Sequence, residues 1–209
     1  MDRRFDNRTK STFKKDIKFG TMMEKYFFDQ WVSICNDRKD IVLSNPRDNG
    51  VGNDGEYVET GTNTSGADFK VDLEYSYYKE QKDMPLEMKW VPTAGKFSLK
   101  INDLKAYIRE KAAILFVYNS VNCGTNLRKP KDYNLEKYVN LIESKADQLK
   151  WGIMWPEVVE VFLQTHQDTG KIQKIPYMGG KLGIILKQED FCSWFKEENW
   201  NDRLGNHDE

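Results

Sequence analysis

Two neighbouring stretches of the chain alternate between apolar and polar residues, and this pattern restricts the fold more than any other feature of the sequence. Over 68–78 the apolar residues occupy the odd-numbered positions and most charged residues the even-numbered ones. The run PLEMKWV at 85–91 alternates in the same way. A period of two predicts strands that bury one face. Because only the polar segment 79–83 separates the two runs, we expect an antiparallel hairpin with its turn in that segment.

Helical and strand patterns surround this hairpin. Apolar residues at three- and four-residue spacing predict helices at 16–36, 101–110, 134–149 and 188–198. Continuous apolar runs predict strands at 112–119, buried on both faces, and at 181–186, and 151–163 is also strand-like. Residues 41–43 either begin a strand or extend the first helix, and 44–66 is a loop by composition with a short strand at 56–60. The order of elements predicts a mixed α/β protein with a central mixed sheet flanked by helices.

The length of 209 residues fits one domain. Residues 1–15 are polar and basic, and we expect them to form a flexible arm. The single domain then covers 16–209, with a core at 16–119 and a C-terminal part at 120–209.

Composition excludes several classes of function. The chain has 2 histidines, His166 and His207, so multi-histidine metal sites have no ligands to draw on. Its 3 cysteines are far apart and include no CxxC pair, which disfavours a disulfide framework and a cysteine zinc site and indicates a cytoplasmic protein. The longest apolar run, 112–118, is too short to span a bilayer, so we expect no membrane association. A net charge of -1 gives no overall attraction to nucleic acid but allows a local basic face.

The polar faces of the hairpin carry the residues with the clearest chemistry. Glu87 and Lys89 are two residues apart, so they point to the same side of their strand, and Asp68 and Asp72 share a face of the other. Carboxylates gathered on one surface repel each other, and a divalent cation relieves that repulsion. Hard oxygen ligands suit Mg²⁺, which lowers the pKa of a bound water and stabilises charge on phosphate. A neighbouring lysine can position the attacking water, or deprotonate it if burial and the cation depress the lysine pKa.

The stretch GADFKVDLEYSYYKEQKDMPLEMKW, with the helix and strand that follow it, resembles the PD-(D/E)XK nuclease superfamily, which includes restriction endonucleases. The resemblance covers residues 16–119 and implies a restriction-endonuclease-like core in the order helix, three strands, helix, strand. It implies that Asp68 is the first acid and that Glu87 and Lys89 form the E-x-K element. Asp68, Glu87 and the backbone carbonyl of Met88 would then bind Mg²⁺, with Mn²⁺ able to substitute. The proline that precedes the first acid in the family signature is replaced by alanine here.

Two assignments within the site stay open at the level of sequence. Asp72 lies on the same face as Asp68 and could be the first acid instead. Many members of the superfamily carry a glutamate on the first helix, and Glu24 is the candidate here, but it could equally lie on the polar side of that helix.

The function implied by the resemblance is a magnesium-dependent endonuclease that hydrolyses DNA, restriction-like or phage-type. DNA would be the partner, and residues 120–209 would supply DNA contacts or a dimer surface. A homodimer with one active site for each strand is a further hypothesis. A structure-specific exonuclease or junction resolvase is an alternative because it uses the same kind of site. A non-catalytic DNA-binding module on the same fold is another.

Overall fold

The computed structural model of the protein describes residues 10–49, 66–75, 78–92, 96–120, 127, 129–175 and 180–201. The first elements are helix α1 (Lys10–Asn36) and strands β1 (Ile41–Asp48), β2 (Phe69–Tyr75), β3 (Tyr78–Val91) and β4 (Lys96–Lys100). Next come helix α2 (Ile101–Glu110), strand β5 (Ala113–Asn119), helix α3 (Leu135–Glu143) and strand β6 (Leu149–Met154). The last are helix α4 (Pro156–Asp168), strands β7 (Ile172–Ile175) and β8 (Lys181–Lys187), helix α5 (Gln188–Phe191) and strand β9 (Glu198–Asn199).

The structure is α/β, with a mixed six-stranded sheet flanked by helices. The strand order in this sheet is β1-β2-β3-β5-β6-β9. Strands β1, β2 and β3 run antiparallel to their neighbours in turn, whereas β3 and β5 are parallel and are connected through α2. A second, antiparallel sheet has the order β4-β8-β7. The sheet therefore changes from antiparallel to parallel pairing at β3, the strand that carries Glu87 and Lys89.

The large sheet is covered on both faces. On one face α1 packs with its aromatic residues, including Phe27 and Trp31, against β2 and β3. On the other face α2, α4 and the small sheet cover residues such as Ile114 and Phe116 of β5. Consecutive residues of β5 contribute to opposite clusters, and all seven are buried. This confirms that the apolar run after α2 is a strand buried on both faces.

The hairpin, α2 and the strand at 181–186 are confirmed. The apolar residues Phe69, Val71, Leu73 and Tyr75 are buried, as the alternation predicts. Residues 41–43 begin a strand, and that strand continues to Asp48, into a segment predicted to be a loop. The strand predicted at 56–60 lies outside the described residues.

Element boundaries are where the sequence predictions were wrong. Helix α1 begins at Lys10, so residues 10–15, predicted to belong to an arm, are helical. Most residues of this part, KSTFKK, are polar, and Lys14 and Lys15 are exposed. The segment 79–83, predicted to be the turn, belongs to β3. Its polar composition suggests a turn because this end of the hairpin extends beyond the core, where several of its side chains are exposed to solvent.

The C-terminal part, 120–209, also differs from the sequence predictions. Only 151–154 of the strand-like segment 151–163 is in a strand, because α4 begins at Pro156. Helix α3 ends at Glu143, short of the predicted end at 149. The predicted helix at 188–198 ends at Phe191 and continues as a short 3₁₀ turn, Cys192–Trp194. Of the helices in the described ranges, none is both long enough and apolar enough to cross a membrane.

Candidate active site

The candidate site lies where strands β2 and β3 part. Their paired register reaches Phe69 opposite Leu86, and beyond this point β3 continues to Val91 paired with β5. Asp68 stands immediately before β2. Its side chain replaces a strand carbonyl as the acceptor for Met88, because Met88 N–H donates to Asp68 Oδ2 at 3.5 Å. In a strand the N–H and C=O of one residue point to the same side. The carbonyl of Met88 is therefore directed towards the same gap between the strands.

Glu87 is the most enclosed carboxyl group of the site, with 3% of its surface exposed. Its Oε1 accepts a hydrogen bond of 2.7 Å from the Tyr107 hydroxyl and forms an ion pair with Lys89 Nζ. Its Oε2 is buried and has no hydrogen-bond partner. Burial, and to a smaller extent the negative charge of Asp68, raises the pKa of Glu87 to about 7. Tyr107 and Lys89 thus hold one oxygen of this carboxylate. A side-chain hydrogen bond with Glu87 also lowers the pKa of Asp68, against the larger effect of burial.

Glu24 approaches the same cluster from α1. It precedes the buried residues Phe28 and Trp31 by about one and two helical turns, so it lies on the side of the helix that faces the sheet. Burial raises its pKa to about 7, and it interacts electrostatically with Lys89 and Glu87. The sequence allows Glu24 either near the candidate site or on the polar side of the helix. In the structure it lies near the site, beside Glu87 and Lys89.

Lys89 provides the positive charge of the cluster. Although burial acts in the opposite direction, the surrounding acidic groups, Glu87 first and then Glu24 and Asp68 among them, raise the pKa of Lys89 well above 10.5. Without a cation the pKa of Lys89 is raised, because three carboxyl groups surround the ammonium. That a bound cation depresses this pKa stays a prediction. A charged Lys89 can orient a water or a phosphate but does not accept a proton.

Asp68 and Asp72 occupy different environments. Burial raises the pKa of Asp68 to about 6, with the charge of Glu24 adding to the effect. Asp72 instead accepts hydrogen bonds from Asp83 N–H at 2.7 Å and from the Asn45 side chain at 2.5 Å. Asp83 has a left-handed backbone with φ 54°, and Asp72 binds its N–H, so Asp72 supports the irregular part of the hairpin. Asp68 is therefore the acid that lies next to Glu87 and Lys89.

The charges of the cluster suit a divalent cation. When Glu24, Asp68, Glu87 and Lys89 are all ionised, three carboxylates face one ammonium, which leaves two negative charges in excess. Carboxylate and carbonyl oxygens are the ligands that Mg²⁺ prefers, and the unpartnered Oε2 of Glu87 is one such oxygen. In the part of the chain that the structure describes, no three Asp, Glu, His or Cys side chains are already arranged as a metal cage. The residue types fit the ion, and Lys89 pairs with the other oxygen of Glu87, Oε1.

Positive charges near the site are partly neutralised. The sequence offers Lys96, Lys100, Lys105, Arg109 and Lys111 as a basic surface. Lys100 pairs with Asp103 at 3.3 Å, and Arg109 lies 3.7 Å from Glu110. A role of this surface in binding phosphate stays a prediction.

Tyr107 and Glu110 are residues of the site that sequence reasoning missed. Tyr107 looks like an ordinary core residue of α2, since it lies on the apolar stripe of that helix. Its hydroxyl nevertheless reaches Glu87, and Glu110, three residues later, accepts a hydrogen bond from the backbone N–H of Ala67 at 3.1 Å. Residues three apart on a helix lie on the same face, so this spacing is the sequence signal that Tyr107 and Glu110 contact the same region of the protein.

Comparisons of this chain with protein-family models, with curated proteins and with solved structures give no match. Its function is therefore inferred from the residues and geometry described above.

Proposed function

We propose that this chain is a magnesium-dependent nuclease of the PD-(D/E)XK superfamily that hydrolyses phosphodiester bonds in DNA. The observation that carries the proposal is the meeting of three carboxyl groups and one lysine at the point where β2 and β3 part. The order of elements supports it, because the resemblance implies a core of helix, three strands, helix and strand. The large sheet and its helices follow this order as α1, β1, β2, β3, α2 and β5, with β4 of the small sheet inserted before α2.

Asp68, Glu87 and the carbonyl of Met88 would hold the metal ion. When bound, Mg²⁺ supplies an acidified water and positive charge beside the phosphate. Glu87 would offer Oε2 to the ion, while Tyr107 fixes Oε1. Lys89 keeps its charge near the scissile phosphate and orients the attacking water.

Glu24 completes the site from the side of α1. Burial raises its pKa to about 7, which suits a group that would accept a proton from the attacking water near neutral pH. We propose that it acts in this way and does not bind the metal directly.

Cleavage of plasmid DNA with Mg²⁺, Mn²⁺ or EDTA tests the proposal. We expect metal-dependent cleavage by the wild type and loss of cleavage in Glu87→Ala and Lys89→Ala. Glu74→Ala is a matched control, because Glu74 is an exposed carboxylate on β2 and its loss should leave cleavage unchanged. Circular, linear, branched and single-stranded substrates separate an endonuclease from an exonuclease or a junction resolvase. No cleavage of any of them, and no metal binding, would favour the non-catalytic DNA-binding module.

The homodimer is also a proposal. Two copies would place one site on each DNA strand. Molecular mass in solution, measured with and without a DNA duplex, tests this, and a monomer in both conditions would exclude it.

A further inference from the structure

The position of the Asp68 carboxylate depends on the backbone that carries it. The hydrogen bond from Met88 N–H to Asp68 Oδ2 is long, at 3.5 Å, and β2 begins only at the next residue. The regular strand pairing that positions Glu87 on β3 therefore does not extend to Asp68.

Three hydrogen bonds instead hold the backbone of Ala67 and Asp68. Ala67 N–H donates to Glu110 Oε2 at 3.1 Å, and the carbonyl of Ala67 accepts from Asn49 Nδ2 at 2.9 Å. The carbonyl of Asp68 accepts from the backbone N–H of Asn49 at 2.9 Å. Ala67 is fully buried, so a lost partner for its N–H would not be replaced readily by water.

Helix α2 thus contacts the Glu87 carboxylate and the backbone immediately before Asp68, the two acidic residues that we assign to the metal. Tyr107 binds the side chain of Glu87 directly, and Glu110 binds the backbone one residue before Asp68. Residues three apart lie on the same face of a helix, so one rigid element sets the separation of Asp68 from Glu87.

We propose that Glu110 is a positioning residue, which holds Asp68 at the distance from Glu87 that metal binding requires. This rests on the proposed function, since it assumes that Asp68 and Glu87 share an ion. The role requires a hydrogen-bond acceptor at position 110 and does not require its charge.

Calorimetric titration of the full chain with Mg²⁺ tests this role with Glu110→Ala and Glu110→Gln. Loss of a residue that orients a ligand typically weakens metal binding by about ten- to hundredfold, and we expect this of Glu110→Ala. Glu110→Gln keeps an oxygen acceptor for Ala67 N–H and should bind Mg²⁺ within about threefold of the wild type, which is less than the smallest typical loss. Glu160→Ala is the matched control, because Glu160 is an exposed helical glutamate on α4.

The outcomes separate this role from the function it rests on. If the wild type binds Mg²⁺ and folded Glu110→Ala binds it equally well, the positioning role is wrong and the proposed function stands. If Glu110→Gln is as defective as Glu110→Ala, the charge matters and not the hydrogen bond, which also overturns the role. A wild type that neither binds Mg²⁺ nor cleaves DNA overturns both. Should Glu110→Ala fail to fold, Asn49→Ala removes the donor to the Ala67 carbonyl and carries the same expectation.

Discussion

Replacing Glu87 by glutamine separates a metal site from a structural ion pair. The substitution keeps the size of the side chain and an oxygen that can accept from both Tyr107 and Lys89. It removes the negative charge and places an amide where the unpartnered Oε2 lies. The two interpretations of the cluster predict opposite effects on stability.

The magnitude follows from the raised pKa of Glu87. Its carboxyl group titrates at about 7 in the folded protein, against 4.5 without the fold. The folded state therefore binds this proton more tightly, so it is favoured at low pH and loses that advantage as the pH rises from about 4.5 to about 7. Ionising Glu87 costs on the order of 3 kcal/mol of folding free energy above that range. In a structural ion pair, by contrast, removal of one partner destabilises the protein by about 3–5 kcal/mol.

Urea unfolding in EDTA at about pH 5 and pH 8, on either side of the titration, measures this difference. We expect the wild type to be less stable at the higher pH, and Glu87→Gln to lose less stability over the same interval. At the higher pH the variant should be at least as stable as the wild type, because Glu24 and Asp68 still balance the charge of Lys89. It should also lose the stabilisation that Mg²⁺ gives the wild type. A loss of about 3 kcal/mol or more in the variant would refute the reasoning and indicate a structural ion pair.

Four further predictions concern other positions. Asp72→Asn should keep plasmid cleavage but lower the free energy of unfolding by about 1 kcal/mol, because it weakens a support of the hairpin; loss of cleavage with normal stability would contradict this. Lys89→Met should abolish cleavage yet tighten Mg²⁺ binding in calorimetry, because an ammonium no longer competes for the carboxylates; weaker binding would count against it. Gly152→Ala should lower the free energy of unfolding by roughly 1–3 kcal/mol, because its methyl group would collide with the ring of Phe195. Gly20→Ala, a helical glycine with nothing within 4 Å, should raise it by up to about 1 kcal/mol.

The centre of the fold could be predicted because its patterns are local. The period of two in β2 and β3 puts Glu87 and Lys89 on one face, and the stripe of α2 matches its observed bounds. Helix α4 was missed although its signals are present. Pro156 stands at its first position, and Val159, Phe162, Leu163 and His166 are buried at helical spacing. The preceding strand residues obscured this change of period.

The rest of the site depends on tertiary contacts that no local pattern reports. The orientation of Glu24 is decided by how α1 lies on the sheet, because a glutamate between apolar residues fits either side of a helix. The choice of Asp68 over Asp72 follows from where β2 and β3 stop pairing. Periodicity predicts that Tyr107 is a core residue, but it does not predict that its hydroxyl donates to Glu87.

The most direct test of the proposed nuclease site is a time course of supercoiled plasmid with protein that has been stripped by EDTA. We expect no cleavage until excess Mg²⁺ is added, then conversion of the plasmid to nicked or linear DNA by the wild type and none by folded Asp68→Asn. Cleavage in EDTA, or equal cleavage by Asp68→Asn, would contradict a metal-dependent site at this cluster.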